Sequence, residues 1–169
     1  NVIIMRVDGF AMMPNFTFGQ ALSVYTGQNF GAKRMDRVKN GFKHAMAMTS
    51  VFTLVMLILV QLLGDQIISF FVDDPEVIHI GGLALRITSW FYIFLALIYM
   101  TRGVLNGVGD ALFSFINGVV EVACRIGLPL ILVAATSIGM WGIWWTTGLT
   151  WAISGIVCFL RYLCPVSGR

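Results

Sequence analysis

Glu121 and Arg125 are an acid and a base four residues apart in a stretch, Ala111 to Ala135, that holds no other charge. That spacing places both on one face of a helix, with the acid toward the amino end, the favourable order for an ion pair. Counting 1.5 Å per residue from Ala111, Glu121 lies about 15 Å and Arg125 about 21 Å along the helix. Both then fall deep within a bilayer core ~30 Å thick. A charge there costs ~2.5–3.5 kcal/mol on insertion scales, so it turns toward a protein interior or a wet cavity and marks a candidate site of binding or ion coupling. The plainer reading is an ion pair that tethers neighbouring helices. Asn117, one turn earlier, extends the same face, and Pro129 removes the hydrogen bond to the carbonyl of Arg125 and bends the helix beside the pair.

A second polar set lies near the amino end. Pro14, Asn15, Thr17, Gln20, Ser23, Thr26 and Gln28 form a stripe that a lipid-facing helix does not carry, so this face turns inward and Pro14 bends the helix. Gln20 and Tyr92 are candidates for cavity lining. Arg6 and Asp8 lie about 30 Å from the inner end of the same helix and are expected at an outer rim or gate, where Arg6 snorkels. Arg86 is expected near that outer interface too.

Other chemistry finds little support. No Ser/His/Asp, Cys/His or HExxH arrangement is present, which argues against an enzyme. Cys124, Cys158 and Cys164 sit in apolar surroundings without ligand spacing and read as small hydrophobes. No metal or cofactor is expected. Asp73, Asp74 and Pro75 read as a turn and helix cap rather than a calcium loop. Gly103, Gly107 and Gly109 lack a nucleotide fingerprint and read as close helix packing and a tight turn. The several methionines read as packing, with a cavity for varied apolar compounds as the sharper alternative.

The elements that hold these residues follow from composition. The chain has 169 residues, 58% apolar and only 11% charged, whereas soluble domains carry about 25% charged residues. Apolar side chains run in long blocks, so lipid is the solvent. The alternation of a β-barrel is missing. The expectation is an all-α membrane protein, a bundle of about five transmembrane helices over 2–29, 42–63, 77–101, 111–135 and 140–163. The segment "GDQIISFFV" is expected to lie on the membrane surface as a separate amphipathic helix. A short hairpin around Thr136, Ser137, Gly139 and Gly142 separates the last two spans. Trp90, Trp141, Trp144 and Trp145 fit an outer aromatic belt.

Lys33, Arg34, Arg37, Lys39 and Lys43 gather in one loop, 31–44, and Arg102, Arg161 and Arg169 are expected on the same side. On the opposite side the loop "GDQIISFFVDDPEVI" holds Asp65, Asp73, Asp74 and Glu76, and neither it nor the neutral hairpin near Gly139 holds Lys or Arg. The positive-inside rule makes the basic loop and the carboxyl terminus cytoplasmic, with lipid headgroups as partners of the basic run. Nucleic acid is not an expected partner, because no aromatic platform accompanies the charges. The opening residues do not form a signal peptide and lack a starting Met, so the chain reads as a fragment of a longer protein.

Three stretches carry a family likeness: "MMPNFTFGQALSVYTGQNFGAKRMDRVKNG", "FFVDDPEVIHIGGLALRITSWFY" and "TRGVLNGVGDALFSF". In this order and spacing the chain resembles the second half of a bacterial multidrug and toxic compound extrusion (MATE) transporter. The resemblance implies a multi-pass cell-membrane protein of twelve helices in two six-helix lobes, with the five spans here matching the eighth to twelfth. The first lobe and the seventh helix would be missing partners. It implies export of cationic or amphipathic drug-like compounds in exchange for H+ or Na+. Some members carry a cation-binding acid in the tenth helix; the matching "SWFYIFLALIYMT" has none, so no ion ligand is carried over. A lipid-linked sugar flippase of related plan and a non-transporting membrane scaffold are the alternatives.

Overall fold

The computed structural model describes residues 2–135 and 141–163, all-α, with no strand among the described residues. Six helices follow one another: α1 (Val2–Gly31), α2 (Met35–Ser69), α3 (Pro75–Ser89), α4 (Tyr92–Gly107), α5 (Ala111–Ala135) and α6 (Trp141–Leu163). The expected hairpin around residue 137, the side chain of Trp141, and the tail with Cys164 and Arg169 fall outside the described residues.

The packing is that of a protein dissolved in lipid. Leu62, Phe115 and Leu130 are each about 70% exposed, at 72%, 70% and 67%. Asn15, Thr26, Thr49, Thr101, Asn117 and Thr150 are buried. Where hydrocarbon surrounds the bundle, apolar burial between helices gains little, and small or polar side chains hold helices together instead. α2 and α5 each carry an apolar window long enough to cross a bilayer, and α3 with α4 does so as a bent pair.

Glycines set the closest approach, between α1 and α4. A Cβ built on Gly103 would lie 2.5 Å from the Gly19 carbonyl oxygen, and one on Gly107 would lie 2.6 Å from that of Ser23. Only a residue without a side chain allows the two backbones to meet there.

Three expectations about the elements change. The basic stretch 31–44 is not a long loop. α1 ends in a turn at residues 32–34, where Lys33 takes the left-handed φ of 58°, and α2 begins at Met35. Lys33 and Arg34 therefore sit in the turn, while Arg37, Lys39 and Lys43 ride on the first turns of α2. Asp36 suits the positive end of that helix, and its hydrogen bond from Arg34 holds its carboxyl below the usual carboxylate range.

The second expected span, 42–63, is the middle of a 35-residue helix. At about 52 Å this helix exceeds the ~30 Å core and projects past it. Most of "GDQIISFFV" continues α2 to Ser69 rather than forming a separate surface helix, because no breaker follows Leu63 except Gly64, which packs against Gly82 and Arg86. Asp74 then caps α3 as its type suggests, accepting from the backbone N–H of Glu76 at 2.9 Å, with Pro75 opening the helix.

The third expected span, 77–101, is broken. α3 and α4 meet at an angle of 47° around Trp90 and Phe91, where there is neither Pro nor Gly. Side chains satisfy the backbone that the bend releases. The Arg86 carbonyl accepts from the Gln61 amide at 3.0 Å and from the Ser89 hydroxyl at 2.9 Å, and Gln61 also donates to Ser89 at 3.0 Å. Gln61 belongs to α2, so a neighbouring helix stabilises the break. Pro14 and Pro129, by contrast, lie inside α1 and α5, which run on through them as single helices.

Charges sort to the two ends of the bundle. Phe42 stacks on Tyr162 at 4.5 Å, and Arg161 reaches Asp110 at 2.9 Å, which brings the basic turn, the 108–110 turn and the end of α6 together. At the other end Arg86 pairs with Asp65 at 3.1 Å.

Candidate functional site

α4, α5 and α6 meet around a cluster of charges that is partly buried at Arg102 and Glu121 and half exposed at Arg125. α5 presents Asn117, Glu121 and Arg125 along one face, as their spacing requires. Arg125 donates to Glu121 Oε1 at 3.3 Å. The other carboxylate oxygen accepts from Arg102 of α4 at 3.1 Å. With the amide oxygen of Asn117 turned to Arg102, it accepts from that guanidinium at 2.8 and 3.2 Å and from the Ser154 hydroxyl of α6 at 2.8 Å. One carboxylate thus faces two guanidiniums, and the cluster holds one net positive charge.

Arg102 was expected in a loop at the basic end of the bundle. The structure corrects this: α4 runs to Gly107, so Arg102 lies one and a half turns inside the helix and its side chain is only 23% exposed. A charge unaccompanied in its own helix reduces its cost by reaching a partner on the next one. The sequence hides this, because Arg102 and Glu121 are far apart in the chain and meet only when α4 packs against α5.

The cluster lies between two cavities. Arg102 lines one of about 240 Å³ together with Gln20, Ser23 and Tyr99. Arg125 lines another of about 290 Å³ with Asp8, Thr88, Trp144 and Trp151. Glu121 bonds to both guanidiniums and so links the two spaces. Gln20 is a cavity wall, whereas Tyr92 is not. Tyr92 is 1% exposed and belongs to the packed core.

Tyr92 instead donates to Asp8 Oδ1 at 2.7 Å. Arg6 and Asp8, grouped by the sequence at an outer rim or gate, face different ways: Asp8 is 6% exposed and turned into the bundle, while Arg6 is exposed. A buried carboxylate lowers its cost by meeting a hydroxyl donor. Tyr92 is also the first residue of α4 after the break, so the bond ties α1 to the bend. Two residues two positions apart face different ways because a helix turns about 200° in that interval.

Nothing in the cluster resembles a metal centre or a nucleophile with its base. No group of three or more His, Cys, Asp or Glu side chains converges among the described residues. Lys33, Arg34, Arg37, Lys39 and Lys43 lie at the basic end, away from the cluster, and none of them lines either cavity.

Comparison with known proteins covers almost the whole chain. The MatE family model matches residues 2–133. The probable multidrug resistance protein YoeA of Bacillus subtilis is 22% identical over 161 residues, covering 95% of this chain and 35% of its own length. The human multidrug and toxin extrusion protein 1 is 26% identical over 153 residues, with 90% and 27% covered. A solved inward-facing conformation of a multidrug resistance MATE family transporter superposes with a TM-score of 0.91 at 20% identity, covering 98% of this chain and 38% of that one. A MATE crystal structure in a bent conformation gives 0.90, again at 20% identity, covering 99% of this chain and 37% of that one. The chain spans about a third of the length of the relatives it matches.

Proposed function

The chain belongs to the MatE family, and from that premise we propose that it forms most of the carboxy-terminal lobe of a secondary multidrug efflux antiporter. The whole protein exports cationic or amphipathic compounds in exchange for H+ or Na+, with the lobes rocking about a central cavity. The observation that supports this reading is the Arg102–Glu121–Arg125 cluster. It places charge between two cavities in a bundle whose outer faces are apolar. Ionisable side chains set within a membrane bundle and lining cavities are candidates for a substrate or ion path.

Glu121, Arg125 and Asn117 act as the polar hub of substrate or ion coupling, Gln20 lines the path, and Pro14 and Pro129 are the points at which α1 and α5 flex. Arg6 belongs to the outer rim. The turn at 32–34 and the start of α2 face the cytoplasm and anionic headgroups, and the carboxyl end lies on the same side. The partner is a second lobe of matching plan.

Glu121→Gln and Arg125→Ala in the full-length protein test the reading, with dye efflux and membrane level measured together. Efflux per molecule in the membrane falls below the parental value. Parental efflux from both variants at normal membrane level removes the hub from the mechanism. A lipid-linked sugar flippase would need cations free to bind a pyrophosphate, and here Arg102 and Arg125 are both engaged by Glu121. A scaffold would move neither dye nor ions when the full-length protein is placed in liposomes.

A further inference from the structure

Between α1 and α2, on the basic side of the bundle, runs a groove of about 510 Å³, larger than either cavity beside the charge cluster. Small residues open it: Ala21 on α1, and Gly41 and Ala45 on α2. A Cβ on Gly41 would collide with the Tyr25 ring, so glycine is what lets that ring lie across the two helices. Phe18, Leu22 and Met48 give the inner length of the groove an apolar wall, while its end toward the 32–34 turn is polar. There the His44 ring donates through Nδ1 to the Asn40 carbonyl at 2.7 Å, and the Tyr25 hydroxyl has no hydrogen-bond partner among the described residues.

Arg37 precedes Gly41 by four residues, so it stands one turn beyond the polar end of the groove on the same face of α2. Lys33 sits in the turn that joins the two helices at that end. Both are exposed, and among the described residues neither pairs with an acid, since Asp36 is engaged by Arg34. Lys43 is exposed as well, but it lies about 120° around the helix from Arg37, away from the groove. From Arg37 to Met48 the groove face runs about 17 Å along α2. That is close to the ~15 Å that one leaflet contributes to a ~30 Å hydrocarbon core. Positive charge, then hydrogen-bonding side chains, then an apolar slot one leaflet deep is the order in which a phospholipid presents phosphate, ester carbonyls and acyl chain.

We propose that the α1–α2 groove is a discrete site for one anionic diacyl phospholipid of the cytoplasmic leaflet. The phosphate meets Arg37, with Lys33 adding charge from the turn, because a guanidinium suits a phosphate and a basic side chain at the membrane surface favours an anionic headgroup. The Tyr25 hydroxyl and the Asn40 amide donate to the ester carbonyls. One acyl chain lies in the slot between Phe18, Leu22 and Met48, over the small surface of Ala21 and Ala45. A general attraction of the basic run to the membrane needs no groove and treats every exposed cation alike; this site uses Arg37 and not Lys43. The inference takes only its leaflet from the orientation assigned above and is otherwise independent of what the protein transports.

The test titrates the delipidated full-length protein in detergent with palmitoyl-oleoyl phosphatidylglycerol or the matching phosphatidylcholine, and native mass spectrometry counts the lipids bound. The parent takes up a first phosphatidylglycerol more tightly than phosphatidylcholine. Arg37→Gln weakens that first lipid by about fivefold or more, the worth of one basic residue at an anionic surface, while Lys43→Gln leaves it at the parental affinity. Ala45→Phe, which fills the slot and keeps every charge, weakens it several-fold, and inorganic phosphate does not displace it. Equal losses in Arg37→Gln and Lys43→Gln mean diffuse attraction and overturn the site, as does parental affinity in Ala45→Phe or displacement by inorganic phosphate. A parent without preference for phosphatidylglycerol overturns it too, the result expected where another helix of the full-length protein covers the groove. Should Ala45→Phe fail to insert, the contrast between Arg37→Gln and Lys43→Gln decides alone. Dye efflux from liposomes is measured separately, so a parent that exports dye without holding the lipid refutes this site and leaves the transporter reading standing.

Discussion

Glu121 is held by two arginines from two helices, so its charge matters more than its shape. Glu121→Gln keeps the volume and some hydrogen bonding but leaves two guanidiniums uncompensated. The expected loss is about 3 kcal/mol, the low end of the cost of breaking a buried pair, because Arg125 is half exposed. Thermal unfolding of the detergent-solubilised full-length protein measures it, and Glu121→Asp should lose less. Asn117→Leu deprives Arg102 and Ser154 of their acceptor and costs about 1–3 kcal/mol in the same assay. The Glu121–Arg125 half of this cluster is legible in the sequence, since i, i+4 spacing on a charge-free helix leaves few other geometries. The Arg102 half is not. Its contact depends on where α4 ends and how α4 packs on α5, and neither is written in local spacing. The inward turn of Asp8 is hidden for a related reason: depth counted along a helix says nothing about which way the side chain turns.

At the level of elements, two features carry the geometry. The first is the glycine seam of α1 and α4. Gly103→Val forces the helices apart where Gly103 meets the Gly19 backbone, and should cost about 1–3 kcal/mol or more, the range for overpacking. Reduced membrane level and a lower melting temperature check this, and Gly9→Ala, with open space around it, is the control that should change neither. The second feature is the break between α3 and α4. Gln61→Leu removes two interhelical bonds at the bend, worth about 1 kcal/mol in total at membrane values of about 0.6 each. A spin-label pair spanning residues 80 and 98 should report a wider spread of distances in that variant. The sequence points to bends at Pro14 and Pro129 because Pro is the recognisable breaker. The 47° bend lies between α3 and α4, where the released Arg86 carbonyl finds the Ser89 hydroxyl of its own helix and the Gln61 amide of α2.

For the whole molecule, the arrangement of charge sets the orientation. The basic turn and the start of α2, Arg161 and Asp110 share one end, while Asp65 and Arg86 mark the other. A cysteine at Lys39 in the full-length protein should be labelled only from the cytoplasmic side and one at Asp73 only from outside; the reverse pattern refutes the assigned orientation. The all-α membrane character, the apolar blocks and the family likeness follow from sequence alone, because burial of backbone hydrogen bonds in lipid leaves a long uncharged segment few options besides a helix. The sequence also determines the i, i+4 pairing of Glu121 with Arg125, the capping by Asp74 and the gathering of positive charge near residues 33–43. Tertiary structure alone decides the rest: that Arg102 completes the charge cluster, that Asp8 turns inward to Tyr92, and that α3 and α4 bend without a proline. Each depends on a partner brought from another helix, since a polar group in a low-dielectric interior takes its position from whichever neighbour can satisfy it.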